Sequence, residues 1–402
     1  MSAAEVHDVL VVGAGPTGLT LAAALVRQGF EVTLVEQEPA PTTEWRASTF
    51  HPPTLEMLEE LGVVDEMISR GLVADRYQIR DRRDGLIAEF DLGLLAGDTK
   101  YPFRLQLEQY KYSEILTERM RDHPLCTIHY GETVTSVVDA GDTVDVVARR
   151  PDGSTVTRRA RYVVGADGAR STVRKSLGID FPGLTYPMRF LIMSTTFPFE
   201  KRFPDICSVN YIWDPVEPMM LLRIPDVWRV MFSIGPDAQG EDVLDDAAVR
   251  ARIRQVTSSD EDVEVKQARY YHVHQRVADR FRAGRVVLLG DAAHVNSPIG
   301  GLGLNSGIHD AMDLAVRLGA VLRGEEADGA LDRYAERRRK VALEFVRRVT
   351  HRNTAMMTEQ QEEARRQNRR RVEAIAADPQ RAREWLLEAS MIAAVRETGI
   401  GT

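Results

Sequence analysis

The feature that most constrains the fold is a glycine pattern near the start of the 402-residue chain. The hydrophobic run Val9–Val12 is typical of a buried strand, and it leads into the sequence GAGPTG at residues 13–18. The pattern then predicts a helix over Pro16–Gln28 and a second strand over Val32–Glu36. A glycine-rich turn between a strand and a helix, inside a βαβ unit, is typical of a dinucleotide-binding fold.

Each glycine of this turn has its own predicted role. Gly13 permits the tight turn, Gly15 lets the backbone approach a pyrophosphate, and Gly18 lets the helix pack closely on the strand. Free N–H groups at the N-terminus of the helix favour phosphate binding, and proline suits the first helical turn. The residues predicted to bind the cofactor here are Gly13, Gly15, Pro16, Thr17 and Gly18.

Glu36 ends the second predicted strand, 18 residues after Gly18. A carboxylate at this position can accept a hydrogen bond from the 2′-hydroxyl of an adenosine ribose. The same carboxylate would repel the extra phosphate of NADP. The first loop is therefore predicted to bind either NAD or FAD.

Three further glycine-containing runs follow later in the chain. They are GADGARS at residues 165–171, GDAAH at residues 290–294 and PIGGLGLN at residues 298–305. With GAGPTG, these ordered motifs make roughly residues 6–345 resemble the group A flavoprotein monooxygenases, the 4-hydroxybenzoate hydroxylase family. Only one GxGxxG follows a predicted strand, whereas flavoproteins with two dinucleotide-binding domains need two.

The resemblance implies non-covalently bound FAD, with NADH or NADPH as a co-substrate that has no Rossmann domain of its own. It implies that Asp291 accepts a hydrogen bond from the ribityl chain of FAD. A helix that begins near Leu304 would stabilise the negative charge of the reduced flavin with its positive end. The remaining residues expected to contact FAD are Arg46, Gln109, Asp167, Arg170, Pro298, Gly301, Gly303 and Asn305.

The implied reaction is hydroxylation of a small aromatic or N-heteroaromatic molecule. NAD(P)H reduces FAD, the reduced flavin and oxygen form a C4a-hydroperoxide, and the distal oxygen is transferred to an electron-rich ring. Pro298 is expected to line the flavin face beside the site of transfer. An alternative is hydroxylation or epoxidation of a polyketide, quinone or antibiotic scaffold by the same chemistry. A halogenase, a reductase or a flavin-binding sensor would share the fold, but the WxWxIP motif of halogenases is absent.

A change of composition over residues 188–235 predicts an inserted antiparallel sheet, because aromatic and β-branched runs alternate with prolines. Such a sheet is expected to cover the flavin and to form a mostly apolar substrate pocket. Arg223 is the candidate for binding an anionic substrate group, and Tyr211 and His51 are candidate catalytic residues. Further pocket candidates are Thr49, Phe50, Trp213, Met220, Trp228, His272 and His274.

The predicted fold class is α/β, with a Rossmann-like FAD-binding domain of the GR2 type, an inserted antiparallel β-sheet that binds substrate, and C-terminal helices. The expected boundaries are residues 1–75, 100–180 and 265–330 for the discontinuous FAD domain, 76–99 and 181–264 for the substrate sheet, and 331–402 for the helices.

Composition limits the partners. The formal net charge of −8 argues against a general nucleic-acid binder, and the basic runs Arg337–Lys340 and Arg369–Arg371 are expected to be solvated helix faces. The uncharged run Val9–Val26 is explained by the glycine turn, so no membrane span is expected. Cys126 and Cys207 form no CxxC pair, so no metal site is predicted. We expect a cytoplasmic monomer or homodimer that uses a small aromatic substrate and molecular oxygen.

Overall fold

The computed structural model describes residues 6–234, 244–257 and 263–399. Its strands are β1 (Val6–Val12), β2 (Val32–Glu36), β3 (Thr49–Phe50), β4 (Leu72–Ala74), β5 (Arg76–Asp81), β6 (Gly85–Asp91), β7 (Arg104–Gln106), β8 (Cys126–Tyr130), β9 (Thr133–Asp139), β10 (Val144–Arg149), β11 (Thr155–Gly165), β12 (Gly183–Thr195), β13 (Val209–Trp213), β14 (Met219–Arg223), β15 (Trp228–Ile234), β16 (Val265–Val277), β17 (Arg282–Ala283), β18 (Val286–Leu288) and β19 (His294–Val295).

The α-helices of these residues are α1 (Pro16–Arg27), α2 (Pro52–Glu59), α3 (Val64–Arg70), α4 (Gln109–Met120), α5 (Thr172–Ser176), α6 (Phe199–Arg202), α7 (Asp246–Thr257), α8 (Leu302–Leu322), α9 (Ala330–Lys340), α10 (Arg347–Met357), α11 (Glu362–Ala376), α12 (Pro379–Ala389) and α13 (Ile392–Thr398). Short 3₁₀ turns lie at Leu92–Leu95 and Gly290–Ala292, and a π-helical segment at Val341–Val346 joins α9 to α10. No helix of the described ranges has both the length and the apolar character that crossing a membrane requires.

The first sheet contains the predicted dinucleotide-binding unit. Its strands run in the order β17-β18-β11-β1-β2-β8, and β9 and β10 extend it through β11. The strand β1 pairs in parallel with both β2 and β11, which confirms the predicted βαβ start. Residues Val9–Val12 are buried because α1 and the strands on either side cover them, as a continuous apolar run requires. The helices α8 and α4 pack against α1.

The second sheet is the predicted antiparallel insertion. Its order is β19-β16-β12-β15-β14-β13-β5-β6, and the one parallel pair in this path is β13 with β5. Its first inserted strand begins at Gly183, slightly before the predicted start at residue 188. Gly235, the predicted end of that run, lies outside the described residues, as do the rest of 235–243 and 258–262.

The two faces of the second sheet belong to different cores. Along β14, Met220 packs into a cluster shared with the C-terminal helices, whereas Met219 and Leu221 pack into a cluster with α7. The cause is the two-residue period of a strand, which turns successive side chains to opposite faces. Tyr211 faces the first cluster and Trp228 the second.

A small sheet, in the order β3-β7-β4, lies beside the two large ones. Thr49 in β3 pairs with Gln106 in β7, so the chain that follows β3 runs past Arg104. This arrangement brings His51, directly after β3, into the interior of the molecule.

The helix α8 begins at Leu302, near the start at Leu304 that the resemblance implied. Gly307 lies inside this helix, where a Cβ would come within 2.7 Å of the Thr17 hydroxyl oxygen. Glycine here allows α8 to pack closely against α1.

The C-terminal helices cover the second sheet, and α11 contacts β6 while α12 contacts the turn Leu92–Leu95. The expectation that both basic runs are solvated is wrong in part. Arg338 is completely buried against Asp310, and Arg369 pairs with Asp84 at 2.6 Å. These arginines are paired because the topology brings carboxylates from distant parts of the chain to the same helices.

Candidate active site

The turn between β1 and α1 has the geometry of a phosphate-binding loop. Gly13 has a φ of +105°, and a Cβ there would lie 2.5 Å from the carbonyl oxygen of Ala166. A Cβ on Gly18 would lie 2.0 Å from the carbonyl oxygen of Gly13. Gly15 differs, because a Cβ there would meet no atom within 4 Å. The space beside Gly15, at the N-terminus of α1, is therefore open to a pyrophosphate.

Thr17 lies in the GAGPTG loop at residues 13–18 and contacts the GDAAH loop at residues 290–294. A Cβ on Gly290 would lie 3.0 Å from its hydroxyl oxygen, so the side chain of Thr17 packs at the junction of the two loops. Pro16 occupies the first turn of α1, where its missing N–H costs nothing, and its carbonyl accepts a hydrogen bond from Thr20 at 2.6 Å.

Glu36 turns its carboxylate towards the glycine turn. Its Oε2 accepts a hydrogen bond from the Ala14 N–H at 2.7 Å, and its Oε1 accepts one from the Glu38 N–H at 2.9 Å. The side chain is half-buried. Each carboxylate oxygen has a further lone pair, so Glu36 can hold the turn and still accept a hydrogen bond from a ribose hydroxyl.

Asp167 caps the short helix α5. Its Oδ2 accepts hydrogen bonds from the N–H groups of Thr172 at 2.7 Å and Val173 at 3.1 Å. Its Oδ1 is buried and has no hydrogen-bond partner within the described part of the chain. Burial raises the pKa of Asp167, against the lowering effect of Ser171 and the amides. An unsatisfied buried oxygen at this loop suits a hydroxyl donor from a ligand. Arg170 is exposed.

Arg174, which the sequence pattern did not single out, hydrogen-bonds to both the GADGARS motif at residues 165–171 and the GDAAH motif at residues 290–294. Its Nη1 donates to the carbonyl of Ala292 at 2.8 Å and its Nη2 to the carbonyl of Ala169 at 2.9 Å. The guanidinium also lies 3.8 Å from the ring centroid of Phe181. One buried side chain therefore fixes the spacing of both loops.

Asp291 lies in the turn after β18, with its side chain exposed in a recess of the protein. No group in residues 6–234, 244–257 or 263–399 donates a hydrogen bond to its carboxylate. Desolvation by the surrounding protein raises the pKa of Asp291, while His294 and Arg46 lower it and Asp310 raises it further. A carboxylate without a protein donor, held at this loop, can accept a hydrogen bond from a ligand hydroxyl.

A buried ionic network holds that turn in place. Asp310 accepts hydrogen bonds from the Gly290 N–H at 2.9 Å, from His294 Nε2 at 2.8 Å and from the guanidinium of Arg338. Burial by itself would raise the pKa of Asp310, but Arg338 and His294 outweigh it and lower the pKa to about 2. Asp310 is therefore ionised, and its bond to Gly290 fixes the backbone next to Asp291.

The loop before α8 has two consecutive left-handed glycines. Gly300 and Gly301 have φ values of +107° and +70°, and the Gly301 N–H donates to the carbonyl of Pro298 at 3.0 Å. The helix begins at the next residue, so its free N–H groups emerge from the tight loop. Gly303 is close to Asn296, whose amide oxygen would lie 3.1 Å from a Cβ on that glycine.

Asn305 locks this loop to the segment around His51. Its Oδ1 accepts hydrogen bonds from the His51 N–H at 2.8 Å and the Thr54 hydroxyl at 2.6 Å. Its Nδ2 donates to the carbonyls of Thr49 at 2.9 Å and Gly301 at 2.6 Å. The amide is saturated by the protein, so a cofactor contact by this residue would use its backbone. Leu304, just before Asn305, is half-buried.

Arg46 and Gln109 lie on adjoining segments, since the Gln109 N–H donates to the carbonyl of Ala47 at 2.9 Å. Arg46 is largely exposed and pairs with Glu44 at 2.9 Å. Its charge also lowers the pKa of Asp291, which places the guanidinium on the same side of the molecule as the third motif. Both residues remain within the region predicted to bind FAD.

His51 is buried and neutral. Its Nε2 lies 2.9 Å from the carbonyl oxygen of Gly300, so that nitrogen carries the proton and donates. Burial first, and then the charge of Arg104, lowers the pKa of His51 well below its usual value. A histidine this difficult to protonate is a poor proton carrier near neutral pH. The structure favours a role in supporting the Gly300 loop over the predicted catalytic role.

A pocket opens between the second sheet, the Gly300 loop and the C-terminal helices. The space between its walls is about 480 Å³, including the part open to solvent. The described lining residues contain no carboxylate and a single charged group. They are Tyr77, Ile79, Arg104, Tyr211, Trp213, Ile299, Gly300, Asn353, Met356, Met357, Trp385 and Ala389.

Arg104 is the charged group of this pocket, and only 2% of its surface is exposed. Its Nη1 donates to the Tyr211 hydroxyl at 3.2 Å, and its guanidinium lies 4.3 Å from the ring centroid of Tyr77. It pairs with no carboxylate of the described residues, and its Nε has no acceptor there. Burying a cation without an anion is costly unless a ligand supplies the anion. The sequence pattern did not distinguish Arg104 from a surface arginine.

Arg223, which was predicted to bind an anionic substrate group, does not line this pocket. Arg223 follows Met219 and Leu221 at two-residue spacing on β14, so it lies on the face of the sheet opposite to the pocket. Its guanidinium lies 5.9 Å from the ring centroid of Trp228 on that same face. Tyr211 and Trp213, two candidates on the neighbouring strand β13, do line the pocket.

The remaining pocket candidates lie outside the lining, namely Thr49, Phe50, Met220, Trp228, His272 and His274. Thr49 and Phe50 form β3, behind the Gly300 loop, with both side chains buried. His272 and His274 stack on each other in β16, with ring centroids 6.2 Å apart. Neither histidine contributes to the pocket walls.

The fold and the four loops define a flavoprotein. The chain belongs to the family described as an FAD binding domain, whose family model matches residues 6–349. The relatives are monooxygenases and aromatic hydroxylases, so the chain is an FAD-dependent monooxygenase that uses NAD(P)H and oxygen to act on an aromatic compound.

Two monooxygenases and one crystal structure are similar to this chain over most of its length. The chain is 35% identical over 360 residues to the para-nitrophenol 4-monooxygenase of a Pseudomonas species, covering 87% of each chain. It is 34% identical over 345 residues to the 6-hydroxy-3-succinoylpyridine 3-monooxygenase of Pseudomonas putida, covering 84% of this chain and 86% of that one. The crystal structure of p-nitrophenol 4-monooxygenase from Pseudomonas putida superposes with a TM-score of 0.91 at 32% identity, over 96% of this chain and 98% of that one.

The residues present fit FAD. The open space at Gly15 suits the pyrophosphate, and the carboxylate of Asp291 and the buried Oδ1 of Asp167 both lack protein donors within the described residues. Phosphates and hydroxyls are the groups that these three features would satisfy. The free end of α8, next to Gly300 and Gly301, suits the pyrimidine edge of the flavin.

Proposed function

We propose that the chain hydroxylates a small, single-ring phenol or hydroxylated N-heteroaromatic compound that binds as an anion. The observation that carries the proposal is Arg104, a buried guanidinium without a carboxylate partner among the described residues, in a pocket otherwise built of rings and apolar side chains. A phenolate oxygen would supply the missing negative charge, and the aromatic walls would hold the ring.

Binding of the anion is also the chemistry that the reaction needs. FAD bound at the four loops would supply the chemistry that activates molecular oxygen, with electrons from NAD(P)H. Arg104 and the Tyr211 hydroxyl stabilise the ionised oxygen of the substrate, and an ionised ring is richer in electrons and reacts more readily with an electrophile. Met356 and Ile299 contribute apolar surface that excludes water. His51 holds the carbonyl of Gly300, which lines the same pocket.

The names of two relatives of similar length support a single-ring substrate. The nitrophenol and hydroxypyridine monooxygenases are of similar length to this chain and act on single-ring compounds, as their names state. The alternative, oxidation of a polyketide, quinone or antibiotic scaffold, is less well supported. The space between the pocket walls, to which Met356 and Trp385 from two C-terminal helices contribute, is only about 480 Å³ even with the part open to solvent.

We further infer the three-region division given above, in which residues 1–75, 100–180 and 265–330 bind FAD through the four loops. Both cysteines of the chain are free thiols, which supports a reducing, cytoplasmic location. We infer a monomer or a homodimer, and sedimentation equilibrium would distinguish the two.

A substrate panel tests the proposed reaction. The panel contains 4-nitrophenol, a hydroxypyridine carboxylate, the neutral ether 4-nitroanisole as a matched control, and a tetracyclic phenol. For the first two compounds we expect NAD(P)H consumption and incorporation of one oxygen atom from O₂ into the ring product, with or without release of the substituent at the oxidised carbon, and we expect neither for 4-nitroanisole. Turnover of the tetracyclic phenol alone would contradict the single-ring proposal and support the alternative scaffold.

A further inference from the structure

We propose that Trp385, on the C-terminal helix α12, is a positioning residue for substrate that acts through the hydroxyl group of Tyr77. The inference rests on the proposed function, because it concerns how the pocket binds an ionised phenol. It also assigns a role in substrate recognition to a helix outside both the FAD loops and the inserted sheet.

The hydrogen bond between the two rings has a fixed direction. The indole nitrogen Nε1 of Trp385 lies 2.5 Å from the Tyr77 hydroxyl oxygen. An indole N–H can only donate, so the Tyr77 oxygen is the acceptor and its own proton must point elsewhere. The described residues offer that proton no protein acceptor. Burial raises the pKa of Tyr77, so the hydroxyl keeps its proton and remains a donor.

The Tyr77 hydroxyl, which is free to donate, lies in the same pocket as the Arg104 guanidinium. Tyr77 and Arg104 both line it, and the guanidinium lies over the Tyr77 ring. Tyr211 meets Tyr77 edge to face, with ring centroids 5.9 Å apart, and its hydroxyl accepts from Arg104. Two hydroxyl protons and one guanidinium are thus left to converge on an anionic oxygen.

Trp385 is held rigidly enough to direct a proton. Its ring stacks on Phe90 with centroids 5.7 Å apart and planes 16° apart, and the guanidinium of Arg352 lies 4.5 Å from its centroid. The helix that carries it is anchored by Arg383, which pairs with the buried carboxylate of Asp98 at 2.6 Å. The indole therefore acts as a fixed donor rather than as a mobile lid.

The test uses the FAD-loaded enzyme without NAD(P)H, and 4-nitrophenol as the probe, because its ionised form is coloured and turnover cannot occur. Titration gives both the Kd and the pKa of the bound phenol. We expect Trp385→Phe, which keeps an aromatic ring but removes the N–H, to weaken binding about 3- to 10-fold and to raise the pKa of the bound phenol. In a Tyr77→Phe background, Trp385→Phe should change neither quantity further.

Two controls separate this role from a structural one. Glu384→Ala, at an exposed position of the same helix, removes neither ring nor hydrogen bond and should leave both the Kd and the pKa of the bound phenol unchanged. Trp385→His keeps a ring N–H and should bind the probe more tightly than Trp385→Phe. Equal losses from Trp385→Phe with and without the Tyr77 hydroxyl, or no loss at all, would overturn the inference alone. Failure of the unsubstituted enzyme to bind the ionised probe would overturn the proposed function as well.

Discussion

Arg104 and Arg223 show how the chemical role of a residue depends on the face to which it points. Both are arginines on short strands, and both lie within 6 Å of an aromatic ring centroid. Arg104 is buried in the pocket without a carboxylate among the described residues, whereas Arg223 is only half-buried on the opposite face of the second sheet. Buried, uncompensated charge is the stronger indicator of a binding site.

The first prediction at this scale concerns Asp291. Asp291→Ala should weaken FAD binding by about 1.5–3 kcal/mol, because a charged acceptor to a ligand hydroxyl is lost. Asp65→Ala, at an exposed position of α3, is the matched control and should leave FAD affinity unchanged. Fluorescence titration of the apoproteins with FAD measures both. An unchanged affinity in Asp291→Ala would remove this carboxylate from the cofactor site.

A second prediction compares the two arginines. Arg104→Gln should raise the Kd for 4-nitrophenolate about 10- to 100-fold, since a charged hydrogen bond to the anion is lost. Arg223→Gln should leave that Kd unchanged, because its side chain lies across the sheet from the pocket. FAD absorbance should be normal in both variants. Equal losses in the two variants would show that the pocket is not where the substrate binds.

At the scale of elements, local patterns predicted the fold better than the site. The βαβ unit, the antiparallel insertion and the third loop each leave a mark in consecutive residues, namely glycine spacing or a period of two. The face on which Arg223 lies depends on the strand register, and the pairing of Arg104 with Tyr211 joins positions 107 residues apart. No window of consecutive sequence contains those relations, and a one-residue change of register reverses a face.

Alanine substitutions at two glycines of the turn between β1 and α1 should have opposite effects on folding. Gly18→Ala should disrupt folding, because the new Cβ would collide with the carbonyl oxygen of Gly13 at 2.0 Å. Gly15→Ala should fold normally, since its Cβ would meet no protein atom within 4 Å and its φ is −72°. Its FAD affinity should nevertheless fall, because the methyl group enters the pyrophosphate space.

Thermal unfolding of both apoproteins, followed by FAD titration, separates the two effects. The expected pattern is a lowered melting temperature for Gly18→Ala and an unchanged one, with weaker FAD binding, for Gly15→Ala. Normal FAD affinity in Gly15→Ala would place the pyrophosphate elsewhere.

At the scale of the whole molecule, charge pairs join parts of the chain that are far apart in sequence. Arg365 pairs with Asp81 at 3.0 Å, and Arg383 with Asp98 at 2.6 Å, so the C-terminal helices are docked on carboxylates in and just after the β5–β6 hairpin. The same helices complete the pocket wall with Trp385. Basic composition in this region therefore reflects intramolecular docking, which composition by itself does not reveal.

Buried neutral histidines should make the stability of the whole molecule depend on pH. Burial first, and then the charge of Arg338, lowers the pKa of His309 from 6.5 to about 3. The unfolded chain therefore binds a proton between these values that the folded chain does not, so stability is complete above pH 6.5 and falls as the pH is lowered towards 3. For His309 alone the loss at pH 5 should be about 2 kcal/mol.

His309→Gln isolates this contribution. His309 Nε2 lies 2.9 Å from the Thr54 hydroxyl, which itself donates to Asn305, and a glutamine amide can replace that donor without titrating. Urea unfolding of the FAD-bound proteins at pH 7 and pH 5 should show a smaller loss in the variant, by about 2 kcal/mol. Asp310 does not interfere, because its pKa is lowered from 3.8 in the unfolded chain to about 2 in the folded one, so the stability linked to it is lost as the pH falls through that interval, which lies below the pH range compared here. The pKa of His51 is also lowered, so some loss of stability between pH 7 and pH 5 should remain in the variant. Equal losses in the two proteins would show that His309 is not buried in its neutral form.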